Sequence, residues 1–210
     1  MREIVHPHIQ NYLEQLTPAS ETVLQEMEER AAREAFPIVG PLVGRLLAVL
    51  ARAINATRIF EMGSGFGYSG LWFASALPAE GQVVLTDTTA ERAQQARDYF
   101  ARAQQAQKLT TLVGDAVELI TQQSGLFDLI FLDADKERYP LAFQRALPKL
   151  KVGGLFIADN ILWSGEVTRP TRDPETVGLQ QFGRLLYTTP HLLSTILPLR
   201  DGVSISVKTA

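Results

Sequence analysis

FDLIFLDADKERY, residues 127–139, is the stretch of sequence that decides the fold. Its first six residues form an apolar run broken only by Asp128, which is typical of a strand buried on both faces of a parallel sheet. The run ends abruptly in Asp133, Asp135 and Lys136. Because the carboxyl ends of parallel strands border the ligand crevice of an open α/β sheet, these side chains are expected at a binding site. One of the two acids could instead cap a helix beginning near Lys136.

Segments of strand and helix character alternate on both sides of this stretch. Strands are predicted at residues 58–62, 82–86, 109–113, 127–132 and 154–158, with helices at 68–76, 90–104 and 139–150. A further helix is predicted at residues 176–188, followed by two strands at 192–198 and 203–207 that pair antiparallel. This alternation predicts an α/β fold: a doubly wound, mostly parallel sheet with helices on both faces and an antiparallel hairpin at one edge.

The N-terminal region carries extra helices. Residues 1–35 have the spacing of two amphipathic helices separated by Thr17 and Pro18, and a third helix is predicted to run to about Ala53. We therefore expect one domain over residues 1–210, divided into an N-terminal helical cap, 1–54, and a catalytic α/β core, 55–210.

The composition excludes several classes of function. Apolar residues make up 46% of the 210 residues and charged residues 20%, as in ordinary globular proteins. The net charge of −3 gives no basic surface for nucleic acid or an anionic membrane. The chain contains no cysteine, which excludes disulfides and thiolate catalysis. With no apolar signal core at the N-terminus, a cytoplasmic location is expected.

A glycine-rich turn, GSGFG at residues 63–67, joins the first predicted strand to a helix. It is not the dinucleotide fingerprint, because Tyr68 stands where the third glycine would be. Asp87 ends the next strand, at the position from which a carboxylate accepts both hydroxyls of a ribose. Glu61 precedes the turn and would suit an ammonium or sulfonium group better than a pyrophosphate. These residues favour S-adenosylmethionine over NAD.

Asp115 and Ala116 follow the third predicted strand. In this position they could give an adenine ring side-chain and backbone hydrogen bonds. Asp115 could equally cap the short helix that follows, and the two roles are compatible.

Hard oxygen ligands follow two neighbouring strands. Asp133 and the pair Asp159 and Asn160 are expected to converge, and such ligands suit magnesium, manganese or calcium. Helix capping is the alternative. Lys136 lies one helical turn beyond Asp133, and a lysine beside a divalent ion and shielded from water can act as a base, because desolvation and the cation disfavour its charged form.

Four motifs resemble the cation-dependent O-methyltransferases of the catechol and caffeoyl-CoA type, in their bacterial form. They are EMGSGFGYSG, FDLIFLDADKERY, GGLFIADNILWSG and LRDGV, and the resemblance extends over residues 37–210 in order and spacing. The resemblance implies a Rossmann-like seven-stranded sheet with an antiparallel edge hairpin. It also implies that Asp133, Asp159 and Asn160 hold a magnesium-type ion and that Lys136 is the general base.

The same resemblance implies the ligands. S-adenosylmethionine would be surrounded by Val39, Glu61, Gly63, Ser64, Tyr68, Ser69, Asp87, Ala116 and Asp133. The methyl acceptor would be a small aromatic molecule with adjacent hydroxyls, such as a catechol or a caffeoyl-type ester, bound near Asp135, Lys136, Trp163 and Ser164. Trp163 could instead be a plain core residue. A homodimer is also implied. The alternatives are a non-catechol acceptor, a cofactor-binding protein without turnover, and an NAD-dependent oxidoreductase.

Three positions depart from the family pattern. Leu42 stands where the family often has glutamate, Phe66 replaces the more usual residue of the cofactor turn, and Gly183 stands where asparagine is common. The first two would affect the grip on the cofactor and the last the shape of the pocket. None of them is a proposed metal ligand or the proposed base.

Overall fold

The structure, a computed structural model, describes residues 4–210. Its helices are α1 (Pro7–Leu16), α2 (Thr22–Glu34), α3 (Gly40–Ala53), α4 (Tyr68–Ala76), α5 (Ala90–Arg102), α6 (Ala116–Gln122), α7 (Tyr139–Ala146) and α8 (Pro174–Thr188). Its strands are β1 (Arg58–Met62), β2 (Gln82–Asp87), β3 (Leu109–Val113), β4 (Phe127–Leu132), β5 (Leu150–Ala158), β6 (Leu192–Leu197) and β7 (Val203–Lys208). No helix within the described part of the chain is long and apolar enough to span a bilayer.

The seven strands form one sheet in the order β3-β2-β1-β4-β5-β7-β6. Strands β1 to β5 are parallel, and β7 runs antiparallel between β5 and β6. The predicted Rossmann-like sheet with its antiparallel edge hairpin is therefore confirmed. The order reverses between β1 and β4, so their carboxyl ends border a crevice at the switch point, where such sheets bind ligands.

Alternate residues of the central strands supply two apolar clusters, one on each face of the sheet. Ile59 and Phe131 pack on one face, and Phe60 and Ile130 on the other. All four side chains are fully buried. This two-sided burial follows from the period-2 geometry of a strand and explains why the strands have near-continuous apolar sequences.

The N-terminal helices differ in how they pack. Helices α2 and α3 bury Met27 and Leu47 in the same cluster as the strand residues of that face. Helix α1 buries no residue, and its Ile9, Tyr12 and Leu16 are exposed.

The predicted boundaries around β5 were wrong. The helix predicted at residues 139–150 ends at Ala146, and a 3-10 turn over Leu147–Lys149 leads into β5 at Leu150 rather than at residue 154. Pro148 lies in that turn and has no N–H to continue a helix. The strand begins before the predicted residue 154, because Phe127 already pairs with Leu150, with a register irregularity before Leu129.

Candidate active site

A cavity of about 980 Å³ opens at the carboxyl ends of β1, β2, β4 and β5. It is bordered on the opposite side by the segment that joins α2 to α3. Its wall contains fourteen of the sixteen residues predicted for the site: Val39, Gly63, Ser64, Tyr68, Ser69, Asp87, Asp115, Ala116, Asp133, Asp135, Lys136, Asp159, Asn160 and Trp163. Glu61 and Ser164 are not part of the wall.

The glycine-rich turn is fixed against β2 and β4. Gly63 has a φ of +87°, and a Cβ added there would lie 2.3 Å from the backbone oxygen of Asp133, so the position requires glycine. The backbone N–H and the hydroxyl of Ser64 both donate to the Thr86 carbonyl, at 2.9 and 3.1 Å. The turn therefore lets a ligand approach the backbone at the switch point.

Glu61 lies behind the wall and is fully buried. The Ser69 hydroxyl, which does reach the cavity, donates to Oε1 of Glu61, while Oε2 has no partner among the described residues. Burial raises the pKa of Glu61 to about 8, and the charge of Asp133 adds to this effect, although the Ser69 hydrogen bond opposes it. An unpaired carboxylate oxygen one layer behind the wall suits a positively charged ligand group.

Asp87 lies at the end of β2, where the sequence predicted a ribose-binding carboxylate. Its Oδ1 accepts from the backbone N–H and the hydroxyl of Thr89, at 2.9 and 3.1 Å. Its Oδ2 lies 3.6 Å from Nη1 of Arg92. These contacts hold the carboxylate in place and leave lone pairs on the cavity side for a ligand hydroxyl.

Asp115 has two structural partners. Its Oδ1 accepts from the N–H of Val117 at 2.9 Å and so caps α6, as one of the two predicted roles requires. Its Oδ2 accepts from Nη2 of Arg138 at 2.7 Å. The Arg138 hydrogen bond, with the cap, holds the pKa of Asp115 below its usual value. The carboxylate therefore remains an acceptor at the cavity wall beside Ala116.

Asp133 and Asp159 follow adjacent strands. The N–H of Asp133 donates to the Met62 carbonyl, and that of Asp159 to the Leu132 carbonyl, so the sheet register fixes both residues. Asp159 is buried, and its Oδ1 has no hydrogen-bond partner in the described part of the chain. Burial raises the pKa of Asp159 to about 7, and the charge of Asp133 contributes to the shift. Asn160 follows in a left-handed conformation, with a φ of +57°.

These three side chains fit a hard divalent ion by their chemistry. Within residues 4–210 there is no group of three or more His, Cys, Asp or Glu side chains placed to hold a metal. The donor set is instead two carboxylates and one amide oxygen, which suits magnesium, manganese or calcium with water completing the shell. The orphaned Oδ1 of Asp159 is the observation that favours a cation here, because a buried carboxylate oxygen without a partner is costly.

Lys136 lies on the same side of the cavity in a 3-10 turn, Lys136–Arg138. Its Nζ donates to Oδ1 of Asp133 at 2.6 Å and to the Tyr139 hydroxyl at 2.9 Å. The buried Tyr139 hydroxyl in turn lies 3.1 Å from the Asp159 carbonyl oxygen. Lys136, the candidate base, is therefore linked to Asp133 directly and to the backbone of Asp159 through Tyr139, at the ends of β4 and β5.

The predicted acceptor residues are only partly brought together. Asp135 and Trp163 line the cavity, and Trp163 also packs against the apolar cluster on the α7 face. Ser164 lies outside the wall, and its backbone N–H is bound to Oδ1 of Asp201.

Val39 was predicted at this cavity, but its neighbours Phe36 and Ile38 were missed. Both line the wall, and the Phe36 ring packs against Phe66 with centroids 4.9 Å apart. Arg92 lies over Phe36, 5.1 Å from its centroid. This packing gives a structural role to Phe66, the residue of the glycine-rich turn that departs from the family pattern. The position of Pro37 before α3 was visible in the sequence, but its approach to the glycine turn depends on long-range packing.

A sheet of this order with a glycine turn, an acid after β2 and polar residues after β4 and β5 defines a Rossmann-like methyltransferase fold. The comparisons agree: the model of the O-methyltransferase family matches residues 14–209. The catechol O-methyltransferase of Niastella koreensis is 28% identical over 219 residues, covering 99% of both chains. The chain belongs to the O-methyltransferase family, as the resemblance predicted.

Solved structures extend the likeness to three dimensions. The O-methyltransferase of Bacillus cereus in complex with S-adenosylhomocysteine aligns with a TM-score of 0.88 and 28% identity, over 96% of this chain and 97% of that one. The O-methyltransferase TomG of Streptomyces achromogenes, in complex with S-adenosylmethionine, aligns with a TM-score of 0.88 and 27% identity, over 97% and 96% of the two chains.

Proposed function

We propose that this O-methyltransferase moves the methyl group of S-adenosylmethionine to one of two adjacent hydroxyls of an aromatic acceptor, with the help of a divalent cation. The observation that carries the proposal is the buried Oδ1 of Asp159, which has no partner among the described residues and lies beside Asp133, Asn160 and Lys136. An acceptor of the catechol or caffeoyl type presents two neighbouring oxygens that a cation can bind together.

The cofactor would occupy the part of the cavity along β1, β2 and the start of α6. Asp87 would receive the ribose hydroxyls, and Asp115 with Ala116 would face the adenine. Ser69, backed by Glu61, lies where the positively charged methionine end would be. The remaining predicted contacts surround the same space: Val39, Gly63, Ser64, Tyr68 and Asp133. Two relatives of the same fold were solved with this cofactor or its product.

Asp133, Asp159 and Asn160 would hold the cation. When bound, a divalent ion supplies Lewis-acid stabilisation of an acceptor oxygen, whose phenolic pKa is otherwise about 10. The same charge would compensate the two neighbouring acids and give Oδ1 of Asp159 a partner.

Lys136 would receive the acceptor proton. Its Nζ is held between Asp133 and Tyr139 and its side chain is only 9% exposed, so proton transfer occurs away from bulk water. The Tyr139 hydroxyl, anchored on the Asp159 carbonyl, fixes the direction of the amine. The segment from Phe36 to Val39 closes the opposite side and excludes water, and the walls align donor and acceptor for in-line displacement.

Trp163 would flank the acceptor ring, with Asp135 at the same wall and Ser164 further out. A second copy of the chain would suit the exposed apolar face of α1, formed by Ile9, Tyr12 and Leu16, and a homodimer is proposed on that basis. Analytical ultracentrifugation of Tyr12→Glu would yield monomers if this face is the interface, whereas an unchanged sedimentation coefficient would remove α1 from it.

The proposal is tested by calorimetric titration of S-adenosylmethionine, followed by methylation of catechol with and without magnesium. We expect saturable cofactor binding and turnover only with metal. Lys136→Ala should abolish turnover while cofactor binding persists, and Lys149→Ala, in the 3-10 turn before β5, serves as the matched control. Equal loss of binding and turnover in Lys136→Ala would contradict its role as base. Binding without turnover of catechol by the unaltered protein would indicate a different acceptor.

A further inference from the structure

The turn between β6 and β7 touches segments on two sides of the cavity. Nη1 of Arg200 donates to the Ile38 carbonyl at 2.8 Å, in the segment that covers the cavity. The carbonyls of Asp201 and Gly202 accept from the N–H groups of Leu162 and Ile161, directly after the metal-ligand candidates. The turn therefore links the segment at Ile38 to the residues that directly follow the metal-ligand candidates.

The Arg200 side chain occupies a space that α3 leaves open for it. A Cβ added to Gly40 would lie 2.8 Å from Nη1 and 3.2 Å from Cζ of Arg200. Gly40 also has a φ of +71°, which favours glycine. The guanidinium group is thus held at a defined place on the rim by a backbone carbonyl and a close backbone approach.

Arg200 differs from the other cations near the cavity in its partners. Lys136, Arg138 and Arg92 each lie beside a carboxylate: Asp133, Asp115 and Asp87. Among the residues that the structure describes, Arg200 has only the Ile38 carbonyl as a hydrogen-bond partner and no carboxylate within ion-pair distance.

We propose that Arg200 determines acceptor specificity by binding an anionic substituent, such as a carboxylate, carried by the aromatic acceptor. This inference rests on the proposed function of the same site. Arg200 is exposed and lies outside the cavity wall, so it suits a group that extends from a ring bound at the metal-ligand edge rather than the cofactor deeper inside. Its remaining N–H groups form the planar fork that matches a carboxylate.

The test compares catechol, which is neutral, with 3,4-dihydroxybenzoate, which carries a carboxylate, in the intact protein and in Arg200→Gln. We expect kcat/KM for 3,4-dihydroxybenzoate to fall about tenfold in the variant, the loss of one charge-assisted hydrogen bond, with less than a twofold change for catechol. Arg200→Lys should recover part of the loss, because it keeps the charge without the fork. Arg145→Gln, which removes an exposed arginine of α7, is the matched control and should change neither value.

Three results would overturn the inference. Equal losses for both acceptors would mean that Arg200 only anchors the segment at Ile38. A tenfold weaker binding of S-adenosylhomocysteine with unchanged acceptor preference would assign the guanidinium to the cofactor. Calorimetric binding of 3,4-dihydroxybenzoate to the protein saturated with S-adenosylhomocysteine gives a readout without turnover. If the unaltered protein does not methylate catechol, the proposed function fails. Equal affinities of the unaltered protein and of Arg200→Gln for 3,4-dihydroxybenzoate would overturn the Arg200 assignment independently of turnover.

Discussion

Acids lie on both sides of the parallel sheet, the amino-terminal side where the strands begin and the carboxyl-terminal side where they end, and the two groups differ in whether their oxygens have hydrogen-bond partners. On the amino-terminal side, Asp128 of β4 has every oxygen engaged. Its Oδ2 accepts from the N–H and hydroxyl of Thr57 and from the N–H of Arg58, and its Oδ1 accepts from Lys151 at 2.6 Å. Burial alone would raise the pKa of Asp128, but these four hydrogen bonds outweigh it and hold the pKa below its usual value.

On the carboxyl-terminal side, Glu61 and Asp159 each keep one oxygen that has no hydrogen-bond partner within residues 4–210. Burial raises their pKa values to about 8 and about 7, well above those of the unfolded chain, which are about 4. The native state therefore binds these protons more tightly than the unfolded state does. The free energy of unfolding of the ligand-free protein should consequently fall as the pH rises from about 4 to 8.

The difference shows which acids of this fold remain available to bind a ligand. Asp128 ties β1, β4 and β5 together and has nothing left to offer a ligand. Glu61 and Asp159 are destabilising when ionised and unpaired, and a cationic ligand would remove that cost. Such sites trade stability for function, so substitutions on the two sides should separate stability from activity.

The largest effect is expected for Asp159→Asn. Loss of a charged ligand from a three-residue set should reduce metal-dependent turnover about 10³-fold, since a bound cation supplies several kcal/mol of charge stabilisation. The free energy of unfolding at pH 8 without metal should stay the same or rise, because the ionised buried acid is gone. Turnover as a function of added magnesium and urea unfolding at pH 8 measure the two quantities. Unchanged magnesium dependence would remove Asp159 from the site.

Asp128→Asn should show the reverse pattern. An asparagine oxygen cannot replace a carboxylate that accepts four hydrogen bonds, so we expect a loss of about 2 kcal/mol of stability at pH 7. The affinity for S-adenosylhomocysteine should remain within twofold, because the residue lies on the opposite side of the sheet. Urea unfolding and calorimetry provide the two values. A large loss of affinity with intact stability would show that the two sides are not independent.

The sequence was sufficient to predict the residues at the carboxyl ends of the strands, but not the residues that pack against them. The buried run before Asp133 and the acid after β2 predicted their positions, because a two-sided apolar strand and its carboxyl end are local patterns. Phe36 and Arg138 reach the cavity only through contacts with Phe66 and Asp115, which are distant in sequence. The enclosed position of Glu61 was also not predictable, because it depends on how closely α4 packs on β1.

Glu61→Gln tests how a buried negative charge on the carboxyl-terminal side affects both cofactor binding and stability. The variant keeps the shape and a hydrogen-bonding group for Ser69 but removes the negative charge behind it. We expect the dissociation constant of S-adenosylmethionine to rise about tenfold at pH 8. The ligand-free variant should be more stable than the unaltered protein at pH 8 and similar to it at pH 5, where Glu61 is protonated. Glu80→Gln, an exposed acid before β2, is the control for a change in net charge.

The smallest effect is expected for Asp115→Asn. This variant tests whether the position of an acid in the sheet or its lack of hydrogen-bond partners determines its effect on stability. Asp115 lies on the binding side, yet both its oxygens have partners, and Asn preserves the cap of α6. Only the half-exposed ion pair with Arg138 is lost, at a cost of about 0.5 kcal/mol. Because the pKa of Asp115 is lowered by folding, this contribution is present above the unfolded-state pKa and disappears as the pH falls through the folded-state value.

Urea unfolding of Asp115→Asn at pH 7 and at pH 3 measures this difference. A gap between variant and unaltered protein at pH 7 that closes toward pH 3 would show that a satisfied acid at the binding side stabilises the fold, as Asp128 does on the other side. A variant more stable than the unaltered protein at pH 7 would mean that Asp115 destabilises the fold when ionised, as Glu61 and Asp159 do. The position of these acids on the carboxyl-terminal side of the sheet, rather than their unpaired oxygens, would then explain why they lower the free energy of unfolding.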